Sequence, residues 1–321
     1  MTHSLIDPDD PALRGEPVVA LATLVGATGS TSKKLGAKMI VGASGRLIGG
    51  VTIGGCVDAQ VIEAADALVA GEEDRRLLSI SLDDDEAWEI GLTCGGTVDV
   101  LLQRVRPGDP IDPIVAAHRR AAELVERGEG AVIVTPLDAG AAYVVAEDDA
   151  PDAAASGGVF LDRVAPPMTL VIVGAGHIAM SLTTLARELE MRTVIVDGRE
   201  RYATRDRFPF ADEIRIGMPS EIVATIRPTP RLAVVLVAHD YKYDLPVLRA
   251  VLRSPAGYLG MLGSKKRGAA VRELLRGEGF TDDELARIHS PVGLDLGGRA
   301  PAEVALSILA EIVAVRHGKR A

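Results

Sequence analysis

Aromatic residues are scarce in this chain: Phe, Tyr and Trp make up 3% of its 321 residues, and only one is tryptophan. Proteins that stack nucleic-acid bases need such rings beside a basic groove. The charge balance points the same way, because 45 acidic against 35 basic residues leave a net −10 at pH 7, which repels a phosphate backbone. No nucleic-acid partner is expected. Cysteine is nearly absent as well. Two residues, Cys56 and Cys94, cannot form a disulfide framework and read as thiols. Long apolar runs are missing, so no membrane span is expected, and the opening Met1-Thr-His-Ser-Leu-Ile-Asp-Pro-Asp-Asp10 lacks the basic start and apolar core of a signal peptide. A cytoplasmic protein is expected.

What is present is a chain long enough for two domains, with 47% hydrophobic residues to build their cores. The most informative stretch is Val171-Ile-Val-Gly-Ala-Gly-His-Ile-Ala-Met180. A short apolar strand there meets a G-x-G-x-x-A turn and restarts as a helix. Gly174 permits the turn, Gly176 has no Cβ to hold a pyrophosphate away, and Ala179 allows close packing of helix on strand. The helix start then offers N–H groups and a positive dipole end to phosphate, and His177 there either meets the ligand or fills the first helical turn. Twenty-one residues after Gly176, the run Thr193-Val-Ile-Val196 ends in Asp197, an acid placed to take a ribose 2′-hydroxyl. Arg199 and Arg201 follow, suited to a 2′-phosphate, so the choice between NAD and NADP stays open.

The first half reads as α+β. Residues 17–25 pattern as a strand, the segment from Gly26 to Gly36 as an exposed loop, and 38–41 with 46–51 as a hairpin turning through Gly42-Ala-Ser-Gly45. Ile53-Gly-Gly-Cys-Val-Asp58 runs into a helical pattern over 59–70, which sets Cys56 near a helix N-terminus where a thiolate is stabilised, with Gly54 and Gly55 allowing close approach of a ligand. A buried cysteine packing as a small hydrophobe is the alternative. Cys94 sits in Leu92-Thr-Cys-Gly-Gly-Thr-Val98, again beside a glycine pair that begins at Gly95, before an alternating strand. Two thiols without further ligands make a poor structural zinc site. A helix is predicted over 111–127 and a strand over 131–135, and the small, acidic stretch from Glu147 to Gly158 has the composition of a linker. The domains are accordingly set at 1–150 and 166–321, with 151–165 between them.

Strands and helices alternate in the second half, with apolar runs at 213–216, 232–238 and 257–262 and helical stretches near 219–227 and 244–253. That pattern gives a Rossmann-like parallel sheet binding its ligand at the carboxyl ends of the strands. His239-Asp240 ends one run, and Gly263-Ser-Lys-Lys-Arg267 ends another. His239 is a candidate acid or base or merely a strand end. Ser264 and Lys265 suit a phosphate at a helix start or form a solvated basic turn. Ser290-Pro-Val-Gly-Leu-Asp-Leu-Gly-Gly298 precedes a helix from about Ala300 whose core face carries Val304, Ile308, Leu309, Ile312 and Val313, and Asp295 either meets a ligand or caps its own turn.

Taken together, Gly29-Ser30, Gly54-Gly-Cys-Val-Asp58, Leu92-Thr-Cys-Gly-Gly-Thr-Val98, Gly174-Ala-Gly-His177, Gly263-Ser264 with Arg267, and His289-Ser-Pro-Val-Gly-Leu-Asp295 resemble the XdhC/CoxI family of xanthine dehydrogenase accessory proteins. The resemblance covers about 17–316. It implies a cysteine-bearing N-terminal domain and a Rossmann C-terminal domain that bind molybdenum cofactor (molybdopterin), support its sulfuration and hand it to a molybdenum hydroxylase. On that resemblance Cys56 and Cys94 would act near the metal or sulfur, and Asp58 stands where the family commonly has Glu. A cysteine desulfurase, the target apoenzyme and a second copy in a homodimer are the implied partners. Two departures fall in loops: Gly29-Ser-Thr-Ser-Lys33 lacks a Pro-Arg, and Ala238-His239 replaces Thr-His. The other reading of the residues is an NAD(P)-dependent oxidoreductase with His239 or a cysteine as acid or base. A carrier needs no turnover of its own.

Overall fold

Strand β1, Val19–Gly29, is the axis of the N-terminal half. In the computed structural model, which describes residues 10–13, 15–29, 35–50, 55–82, 96–151, 158–238 and 241–319, it lies between β2 (Lys38–Val41) and β5 (Gly96–Val105), antiparallel to both. With β3 (Leu47–Gly50) and β4 (Arg75–Leu82) these form a five-stranded sheet of order β3-β2-β1-β5-β4. The alternation of β1 sorts its side chains onto two faces. Ala20, Ala22 and Leu24 join Met39, Val100 and Leu102 against Val61, Ala65 and Leu68 of helix α1 (Gly55–Ala70). Val19 and Leu21 face the other way, onto Ile114 and Val115 of α2 (Pro113–Glu126), whose first N–H groups are capped by Asp112.

Two features of this half depart from the sequence reading. The strand expected to stop at residue 25 runs on to Gly29, because β5 supplies partners as far as Gly96 and a bulge between Leu24 and Gly26 absorbs the extra residue. A Cβ on Gly26 would lie 2.6 Å from the Asp99 carboxylate, which is why a glycine serves there. Second, Val159–Val164, inside the expected linker of 151–165, is strand β8. It pairs with β6 (Ala131–Pro136), which also pairs with β7 (Tyr143–Ala146), giving a three-stranded sheet on Ala117, Ala121 and Leu124 of α2. The acidic composition just before β8 masks the alternation of Val159-Phe-Leu-Asp-Arg-Val164.

The chain divides into two compact units, Met1–Pro166 and Pro167–Ala321. The second is a six-stranded parallel sheet of order β11-β10-β9-β12-β13-β14, built from β9 (Thr169–Val173), β10 (Arg192–Asp197), β11 (Glu213–Ile216), β12 (Leu232–Leu236), β13 (Tyr258–Met261) and β14 (Ile288–His289). Helices α3 (His177–Glu188), α4 (Pro219–Ala224), α5 (Tyr241–Val251), α6 (Lys265–Gly277), α7 (Asp282–Ala286) and α8 (Pro301–Arg316) complete it. Both faces of the sheet are buried, as its unbroken apolar strands require. Leu170, Ile172 and Ile195 pack with Leu182 of α3 and Ile308, Leu309 and Ile312 of α8. Val171, Val173 and Val196 pack on the opposite side with Val247 and Leu248 of α5 and Val271 of α6. Mixed α/β architecture with a Rossmann-like sheet is what the alternation of the second half predicts.

Candidate functional site

The order of the parallel sheet reverses between β9 and β12, and an open α/β sheet binds its ligands at the carboxyl ends of strands at such a point. Gly174 ends β9 there. Its φ is +110°, and a Cβ would stand 2.8 Å from the backbone of Ala238 at the end of β12, so both conformation and packing demand glycine. Gly176 differs. It is the N-cap of α3 in ordinary extended geometry, no side chain caps that helix, and a Cβ on it would meet nothing within 4 Å. The space beside Gly176 at a helix N-terminus is what an approaching phosphate needs. His177, the first residue of α3, is exposed there.

Asp197 closes the turn from the next strand. Its carboxylate, 2% exposed, accepts from Ala175 N at 2.7 Å and from Arg199 through the backbone N and Nε, both at 2.9 Å, and a terminal guanidinium nitrogen at 2.8 Å. Burial pushes the Asp197 carboxyl up, and the Arg199 fork with two backbone N–H groups outweighs it, holding the carboxyl below its ordinary range. Arg199 lies 4.2 Å over the ring of Tyr202. Arg207 completes the frame, donating to Ala175 O at 3.0 Å and to Tyr202 O at 2.6 Å. The acid therefore reaches the glycine turn, with its charge already balanced by Arg199.

The other expected residues spread along the strand ends. Ser264 caps α6 by accepting from Arg267 N at 3.2 Å, and Lys265 is the exposed first residue of that helix. Asp295 accepts from Gly297 N at 3.3 Å and so caps its own turn. In the N-terminal unit Asp58 is half-buried in the first turn of α1, where a carboxylate complements the helix dipole, and Gly55 opens that helix. Cys56 falls in the same turn, but its side chain lies outside the described residues. Gly54, Cys94, Gly95 and His239 lie outside them too. No group of three or more His, Cys, Asp or Glu side chains converges to hold a metal among the described residues.

Residues 12–81 match the XdhC and CoxI family, and residues 170–312 match the XdhC Rossmann domain. The chain belongs to the XdhC and CoxI family. Among proteins similar to it is a probable xanthine dehydrogenase subunit of Bacillus subtilis, 26% identical over 98% of this chain and 97% of that one. The molybdenum cofactor insertion chaperone PaoD of Escherichia coli is 28% identical over 95% and 86%. A crystal structure of a xanthine dehydrogenase from Bacillus halodurans shares 26% identity, with a TM-score of 0.78 over 96% of this chain and 94% of that one.

Several residues that organise the Rossmann unit of this XdhC/CoxI chain escape a reading by local motif. Arg207 is one. Asp244 of α5 is another, buried and paired at 2.6 Å with Arg267 of the Gly263-to-Arg267 motif. The third is Glu311 of α8, whose carboxylate accepts from the Tyr258 hydroxyl, from Gly293 N at 2.8 Å and from His289 Nδ1 at 3.2 Å, while the Tyr258 and His289 rings stack 4.6 Å apart. Burial raises the Glu311 carboxyl and these donors more than offset it. The network ties the family turn at 290–297 to β13 and α8. A charged residue inside the otherwise apolar stripe of α8 is the signal that could have found it.

Proposed function

We propose that this chain is a maturation factor for a xanthine dehydrogenase-type molybdenum hydroxylase: it binds molybdenum cofactor, supports its sulfuration and delivers it to the apoenzyme. The observation that carries the reading is likeness over nearly the whole chain to a molybdenum cofactor insertion chaperone, 95% of this chain and 86% of that one. The geometry of the Rossmann unit supports it. The open space beside Gly176, the uncapped start of α3 and the exposed Lys265 at the start of α6 suit the phosphate of a large cargo. The balanced charge at Asp197 fits a ligand met through backbone N–H groups. In this reading Cys56 and Cys94 are the soft ligands that meet the metal or its sulfur, a thiol in the first helical turn being stabilised as thiolate. On this reading Gly54, Gly55, Gly95 and Asp58 are the cargo-binding residues of the N-terminal unit, and His177, His239, Ser264 and Asp295 those of the Rossmann unit. A cysteine desulfurase supplies sulfur, and the protein works in the cytoplasm as a homodimer. An NAD or NADP molecule at the glycine turn belongs to the oxidoreductase alternative.

The test is the molybdenum and molybdopterin content of protein purified from a cofactor-producing host, beside Cys56→Ser and Cys94→Ser. Bound cofactor in the parent and its loss in either variant is the expected result. Cofactor absent from every sample, with a nicotinamide nucleotide co-purifying, overturns the reading in favour of an oxidoreductase.

A further inference from the structure

The space between the two sheets of the N-terminal unit is lined by polar groups as well as apolar ones. On the face of the five-stranded sheet turned away from α1, Thr23 of β1, Lys38 of β2 and Gln103 of β5 are each about 5% exposed or less. Opposite them stand His118 of α2, Thr135 of β6 and Asp162 of β8, also buried. These six line one small cavity with room for about a single water molecule. Lys38 bonds Gly36 O at 3.2 Å and pairs with Asp162, so β2 of one sheet is tied to β8 of the other. Gln103 Nε2 is buried and meets no acceptor among the described residues. A buried amide hydrogen without an acceptor is costly, and most such groups in folded proteins are satisfied by protein or by internal water.

We propose that this cavity is a binding site for one internal water, which accepts from Gln103 Nε2 and joins the amide to the polar groups around Lys38 and Asp162. Charge selects the ligand. The Lys38 ammonium is already neutralised by Asp162, and burial with the nearby Lys38 drives the His118 imidazole down to about 3, so it is neutral at pH 7. A site without net charge favours a small neutral molecule that both donates and accepts. It has no excess positive charge for a halide, and the ammonium occupies the place of a cation. The water makes the sheet-to-sheet joint a hydrogen-bonded one.

The experiment is a high-resolution crystal structure of the full chain, with thermal melts of the parent and Gln103→Leu. The expected result is a solvent peak about 2.7–3.2 Å from Gln103 Nε2. In Gln103→Leu the peak should be lost and Tm lowered by about 3 °C, since the water loses a partner. A dry cavity in the parent overturns the proposal. So does a higher Tm for Gln103→Leu, the response of an unsatisfied amide relieved by an apolar side chain. An anomalous bromide peak beside Lys38 after exchange into bromide also overturns it, by showing an anion site. Should Gln103→Leu fail to fold, the parent's solvent peak decides.

Discussion

At Asp197 a carboxylate that a Rossmann unit ordinarily turns towards ribose is held by its own neighbours. Arg199 is half-exposed, so its worth to stability must be discounted for solvent, yet its truncation strips a buried carboxylate of the bonds donated by the guanidinium fork. Arg199→Ala should lower stability by about 1–2 kcal/mol at pH 7, read from denaturant or thermal unfolding. The pH dependence has a definite sign. Because the folded Asp197 carboxyl lies below its unfolded value of about 3.9, its contribution is complete above that value and lost as pH falls through the folded one. The gap between parent and variant should therefore close only in acid below about pH 4, and an unchanged gap there would show that Arg199 acts through packing on Tyr202 instead. His118 behaves oppositely in cause, being a base whose folded value is about 3 against 6.5 unfolded, through burial first and the nearby Lys38, itself paired with Asp162, second. The unfolded chain binds its proton first, so stability falls as pH drops from 6.5 towards 3, by at most about 1.4 kcal/mol per pH unit. His118→Gln should flatten that slope in Tm measured from pH 7 to 4.

At the scale of the element, the two glycines of the turn separate folding from binding. Gly174→Ala forces a side chain into φ +110° and onto the backbone of Ala238, and should cost about 3 kcal/mol, visible as a lower melting temperature. Gly176→Ala adds a methyl to open space at an unstrained φ, so it should melt within about 1 °C of the parent, and under the proposed function it should weaken binding of the phosphate-bearing cargo. Equal losses of stability in both would remove the distinction. These elements are legible in the sequence because their signals are local: the strand, the glycine spacing and Asp197 fall within one βαβ unit, and the face of α8 is written in Val304, Ile308, Leu309, Ile312 and Val313. What is not legible depends on partners distant in sequence. Arg207 reaches Ala175 across 32 residues and Tyr258 reaches Glu311 across 53, and no periodicity records either. The end of β1 escapes a local reading for the same reason, since a glycine-rich run becomes strand when β5 is long enough to pair with it. The strand inside the expected linker is hidden by its acidic neighbours, whose composition speaks of solvent and not of pairing.

For the whole molecule, the buried clusters fall into two sets. Among the described residues three are built from residues 13–164 and two from residues 168–312, so each compact unit carries the apolar burial that a cooperative fold requires. A chain of this kind need not unfold in one step, and a single free energy for it is defined only if it does. Independent cores make a sharper prediction. Substitutions that wound one core should move one transition and spare the other, because sites without shared partners contribute additively. In calorimetry or hydrogen exchange of the full chain, Gly174→Ala should lower the stability of the Rossmann unit and leave protection in β1 and β5 unchanged. His118→Gln should do the reverse, altering the acid limb of the N-terminal unit while the amides of β9 and β12 keep their parental rates. A common shift of both units by either substitution would mean that they fold as one, and a separately produced Pro167–Ala321 segment would then show no cooperative melt of its own.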